Sequence, residues 1–183
     1  IIHFMSVVES IKKATSTAFS FEILPPLKGN GLDSVMNTID ILREFDPKYI
    51  NITTHRSERV REWNADGSSK VVSLRRRPGT VAVAAAIHHK YNIPVVPHIL
   101  CGGFTREETE YVLIDLQFLG ITDLLLLRGD KAVEEKYYLP TSGGNAHAVD
   151  LQQQINEFNR GVFEDGSKMS HLLTPFRYGM ACY

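Results

Sequence analysis

Apolar residues recur along the chain at two spacings, and the switches between them divide it into strand and helix units. Phe4, Val7, Val8 and Ile11 share one side at helical spacing and predict a preliminary helix over 3–15. A strand at 19–24 follows and is stopped by Pro25-Pro26, because a proline ring cannot donate to a ladder. Leu32, Val35, Met36, Ile39 and Leu42 form a helical stripe that Asp46-Pro47 closes. The β-branched run 49–54 predicts a second strand. Polar residues dominate 55–78, a long excursion of the kind that usually carries function.

Beyond it, Ala84, Ile87 and Tyr91 mark a helix over 80–91, with Asn92 suited to its C-terminal turn. A strand is predicted at 94–101. Thr105 and Glu108 have the spacing of a capping box, in which hydroxyl and carboxylate each satisfy one backbone amide, so a helix runs from Thr105 to Gly120. The segment 123–127, apolar without a break from Leu124 on, reads as a parallel strand covered on both faces. A second excursion, 131–146, leads to a helix at 147–159 with Leu151, Ile155 and Phe158 inward, and 177–183 reads as a fifth strand.

Strands and helices in alternation, with no hairpin signal between them, predict an α/β fold with a parallel sheet and right-handed crossovers. Five strands make either an open doubly wound sheet or the first five strands of a (β/α)8 TIM barrel. The barrel is favoured because no Gly-x-Gly-x-x-Gly loop follows the first strand, and because a chain that stops on a fifth strand looks cut short at its C-terminus. The expectation is one domain over 1–183.

In such folds the carboxyl ends of the strands converge on one face, so polar residues that recur there are candidates for one site. Three clusters qualify: Glu22 after Phe19-Ser20-Phe21, His98 within Val95–Cys101, and Arg128-Gly129-Asp130 after Leu124–Leu127. Glu22 precedes the double proline and suits a general acid, since a carboxyl at an apolar rim is pushed towards its neutral form. A strand-end salt bridge is the plainer alternative. His98 is either a ligand contact or a core histidine with a hydrogen-bond partner. Arg128 suits phosphate or carboxylate through its planar fork, with an internal pair to Asp130 as the alternative. Thr53 and Thr54 end the second strand and offer hydroxyls. Glu22, His98 and Asp130 have the ligand types for a metal but no tight spacing.

Composition narrows the classes. With 183 residues, 43% hydrophobic and 22% charged, the chain is long enough for a core, and a net charge of -1 gives no global attraction to nucleic acid or an anionic membrane. The local basic run Arg75-Arg76-Arg77 reads as a solvated loop beside Pro78-Gly79. Two cysteines, Cys101 and Cys182, cannot build a disulfide framework, and no run approaches the ~20 apolar residues of a membrane span. A cytoplasmic protein is expected.

Taken together, Phe19-Ser20-Phe21-Glu22-Ile23-Leu24-Pro25-Pro26, Arg77-Pro78-Gly79-Thr80, Pro97-His98-Ile99-Leu100-Cys101, Leu127-Arg128-Gly129-Asp130, Ala148-Val149-Asp150 and Ala181-Cys182-Tyr183 resemble, in order, the signatures of the methylenetetrahydrofolate reductase family. The resemblance implies an eight-stranded barrel that binds FAD without a Rossmann domain. It implies that NADH or NADPH reduces the flavin, which then reduces 5,10-methylenetetrahydrofolate to 5-methyltetrahydrofolate for methionine synthesis, in an enzyme expected to be a homo-oligomer. By the same resemblance Glu22 is the general acid that opens the folate's five-membered ring to an iminium, and Asp130 lies near flavin and folate, where its charge favours a cation. Thr53, Thr54, His98, Arg128, Gly129, His147, Ala148 and Tyr183 fall where the family holds FAD. Thr54 stands where many members have an aromatic residue and His147 where several have tyrosine. The family's further FAD, folate and nicotinamide contacts lie beyond Tyr183. Two other readings stay open: a metal-assisted barrel enzyme, and a binding protein without turnover.

Overall fold

The computed structural model describes residues 5–181. Five parallel strands form one sheet in the order β1 (Ser20–Ile23), β2 (Tyr49–Ile52), β5 (Val95–Leu100), β6 (Asp123–Leu127), β7 (Arg177–Met180). The spatial order follows the chain order, so each crossover steps to the next neighbour and no switch point interrupts the sheet. Between the strands run α2 (Leu32–Leu42), α3 (Thr80–Tyr91), α4 (Arg106–Phe118) and α5 (Ala148–Asn159), while α1 (Val7–Lys12) precedes them.

The strand pattern explains where the core sits. Ile23, Ile50, Ile52, Val95, Ile99, Leu124 and Leu126 occupy alternate positions and join Val35, Ile39, Ile87, Leu113, Leu116, Leu151 and Phe158 of the helices in a single buried cluster. Fully burying each such side chain stabilises the fold by roughly 1.5–3 kcal/mol. The intervening residues Glu22, Asn51, Val96, His98 and Leu125 therefore face away from the helices, and the register places Glu22 opposite Asn51 and His98 opposite Leu125. In β6 burial alternates accordingly, with Leu124 and Leu126 buried and Leu125 and Leu127 half-buried, so this strand is not covered equally on both faces as its leucine run predicts.

Helix ends follow their local chemistry. Thr105 and Glu108 form the predicted capping box, and Ser6 with Glu9 forms another at the start of α1. Asp46 and Asn92 terminate their helical segments in the left-handed region, φ 48° and 53°. Of the predicted helix at 3–15, Val7–Lys12 is helical; Phe4 lies outside the described residues.

One prediction is corrected. The stretch 55–78 contains an antiparallel hairpin, β3 (Glu58–Trp63) with β4 (Ser69–Leu74), so the chain is not free of hairpins. It turns at Asn64–Ser68, where Gly67 takes φ 82° and Asp66 accepts a bond from the Ser68 amide at 2.9 Å. Among the described residues no helix is long and apolar enough to cross a membrane.

Candidate active site

The carboxyl ends of β1, β2, β5 and β6 open into a cavity of about 820 Å³, within the size of small-molecule and cofactor sites. Glu22, Thr53, Thr54, His98, Arg128, Gly129, Asp130 and Ala148 all line it. His147 does not. It is the N-cap of α5, and its largely exposed imidazole lies 3.5 Å from Asp150. Tyr183 lies outside the described residues.

Glu22 and His98 meet across the sheet. Their closest approach, Oε2 to Nε2, is 3.6 Å, and the imidazole is 4% exposed whereas the carboxylate is more than half exposed. Burial lowers the His98 pKa from 6.5, with Glu22 opposing the shift, so the ring is neutral at pH 7 and the contact is not an ion pair there. At 3.6 Å it is also too long for a hydrogen bond, which leaves Nε2 buried without a hydrogen-bond partner. A buried polar atom in that state points to a group that binds in the cavity.

The second strand is tied to its neighbours by both threonines. Thr54 donates its hydroxyl to the His98 carbonyl at 2.5 Å, and Thr53 donates its amide to the Ile23 carbonyl at 3.1 Å. The Thr53 hydroxyl also lies 3.2 Å from His55, whose pKa is lowered by burial and by Arg77. At the end of β6, Gly129 takes φ 83°, a conformation that suits glycine. Arg128 makes no pair with Asp130; its guanidinium lies over the Tyr138 ring, 4.7 Å from the centroid, and donates to the Gly129 carbonyl at 3.3 Å. Cys101, at the end of β5, is buried, and burial pushes its thiol up to about 11.

Several contributors carry no periodic signal and escape the sequence reading. Arg56 reaches Glu135 at 3.0 Å and so joins the two excursions above β5. Arg76, though exposed, pairs with Glu58 at 2.7 Å, and the half-buried Arg77 donates to the Pro25 carbonyl, so part of the basic run borders the cavity. Arg106, Asn145, Gln154 and Glu164 form a polar network that fixes the end of the second excursion. Among the described residues no three His, Cys, Asp or Glu side chains converge as metal ligands.

Parallel strands joined by helices, with a cavity of mixed polar and apolar lining at their carboxyl ends, define a β/α protein of the class that builds ligand sites from strand termini. The chain belongs to the methylenetetrahydrofolate reductase family, whose sequence model matches residues 7–167. It is 29% identical to methylenetetrahydrofolate reductase (NADH) 1 of Arabidopsis thaliana over 82% of this chain and 23% of the relative. It is 26% identical to 5,10-methylenetetrahydrofolate reductase of Salmonella typhimurium and 24% identical to that of Pectobacterium carotovorum, each over 78% of this chain and 42% of the relative. The chain thus spans less than half the length of these relatives.

Proposed function

We propose that this chain is a catalytic portion of an FAD-dependent methylenetetrahydrofolate reductase that uses NADH or NADPH, and that its strands are the first five of a (β/α)8 barrel. Family membership and a strand order without reversal support the barrel. The observation that carries the activity is the convergence of Glu22, His98 and Arg128–Asp130 on one cavity in a chain of this family.

The residues suit a flavin nucleotide. The cavity has cofactor size, His98 Nε2 lacks a partner, Arg128 has no carboxylate to neutralise it among the described residues, and Gly129 admits close backbone approach. Thr53, Thr54, His98, Arg128, Gly129 and Ala148 would hold FAD, with His147 and Tyr183 assigned by family resemblance alone. When bound there, FAD would supply hydride-transfer chemistry between nicotinamide and folate that no side chain offers.

The chain's own residues manage protons and charge. Glu22 Oε carries the proton given to the folate's ring nitrogen as its five-membered ring opens. The neutral His98 imidazole beside it forms no ion pair with the carboxylate, which leaves Glu22 available to the substrate. Asp130, on the same cavity, provides fixed negative charge towards the cation formed by ring opening.

Protein expressed from the complete gene is expected to be yellow, to bleach with NADH or NADPH, and to regain colour with methylenetetrahydrofolate. A product that cannot be reconstituted with FAD would overturn the reading.

A further inference from the structure

Basic side chains around the cavity are held in different ways, Arg77 and Lys131 by backbone carbonyls of Pro25 and Glu135. Arg56 and Arg76 are neutralised by Glu135 and Glu58, at 3.0 Å and 2.7 Å. Arg128 has no carboxylate partner among the described residues and lies instead on the face of Tyr138. An aromatic face attracts a cation through its quadrupole without cancelling the charge or occupying the guanidinium's planar fork.

We propose that Tyr138 is a positioning residue for Arg128, holding the guanidinium at the cavity with its charge intact for an anionic group of the cofactor, the diphosphate in FAD. This rests on the flavin reading of the site. The ring is itself fixed. Its Cε2 packs against Gly102 so closely that a Cβ at that residue would come within 3.2 Å of it. The segment that delivers it is latched, because Glu135 binds Arg56 and also accepts from the Ala132 amide at 2.8 Å. Arg56 in turn lies across Gly103, where a Cβ would overlap the Arg56 Cβ. The Tyr138 hydroxyl is buried without a hydrogen-bond partner, so it is the ring that the arrangement uses.

FAD titration of apoprotein expressed from the complete gene, followed by flavin fluorescence, tests this with Arg128→Ala, Tyr138→Leu, Tyr138→Met, Tyr138→Phe and the Arg128→Ala combinations. The expected result is affinity weakened roughly tenfold by Leu or Met, restored to within about twofold by Phe, and not weakened further by Leu or Met once Arg128 is alanine. Met guards against a variant that fails to fold, since it fills space adaptably without a ring face. Equal losses with and without Arg128, or no loss in either aliphatic variant, would overturn the assignment of Tyr138 alone. Unchanged affinity in Arg128→Ala would instead refute the cofactor role of Arg128, and the inference with it.

Discussion

At the amino-terminal edge of the sheet, charged and polar groups find partners within the protein, whereas at the carboxyl edge several are left unmatched. Asp123 at the lower edge accepts from Arg177 at 2.8 and 3.2 Å and from the Val7 amide at 3.0 Å. Arg177 also donates to the Thr122 hydroxyl, and Ser10 of α1 donates to the Lys48 carbonyl at 2.9 Å, so α1 is fastened beneath the strands. At the upper edge, His98 Nε2 is buried without a hydrogen-bond partner, and Arg128 has no carboxylate partner among the described residues. The lower edge uses its polar groups in the fold, whereas the upper edge pairs most of its own and leaves His98 and Arg128 for the ligand proposed there.

Substitutions that separate stability from chemistry test that contrast. The largest effect is expected from Glu22→Gln in the complete gene product. Steady-state folate reduction should fall by about 10²–10⁴-fold, as for loss of a general acid, while urea unfolding shifts by under about 0.5 kcal/mol. Asp123→Ala should do the reverse, costing about 2 kcal/mol in the same unfolding assay and leaving FAD affinity unchanged. That figure is kept low in the range for bonds to charged groups because Arg177 is partly exposed. A substantial loss of FAD affinity in Asp123→Ala would erase the division between the edges.

Thr105→Ala removes the hydroxyl that accepts from the Glu108 amide at 3.1 Å and should cost about 1 kcal/mol of stability, read as a lower unfolding midpoint. The smallest effect concerns pH. The folded-state pKa of His98 lies below its ordinary 6.5, so between the two values the unfolded chain binds more protons. The stability contributed by the neutral ring is complete above about 6.5 and is lost as pH falls through that value towards the lower one. His55 shifts in the same direction. Unfolding midpoints for His98→Gln between pH 7 and 5 should therefore decline less than those of the unaltered protein; an equal decline would remove His98 from the explanation.

The elements with a buried face were legible in the sequence because burial imposes a period. The stripe Val35, Met36, Ile39 and the alternation in Tyr49–Ile52 both reappear as buried positions. The hairpin was not legible in the same way: β3 and β4 pair mainly with each other, and Trp63 and Val71 remain exposed, so no face selects a strong alternation. The signal that existed was Asp66-Gly67 between two valine-containing runs. Within the site, Glu22, His98 and Arg128–Asp130 stood out as polar residues at the ends of apolar strands. Arg56, Glu135 and Tyr138 did not, since a loop residue takes its role from what lies across space from it, and spacing along the chain carries no record of that.

In the proposed reaction Glu22 serves the folate and not the flavin. Rapid-mixing absorbance of the Glu22→Gln holoenzyme measures the two half-reactions separately. Flavin reduction by NADH or NADPH should proceed at close to the unaltered rate, while reoxidation by methylenetetrahydrofolate collapses. Equal slowing of both half-reactions would contradict the account and make Glu22 a support of the cofactor or the fold.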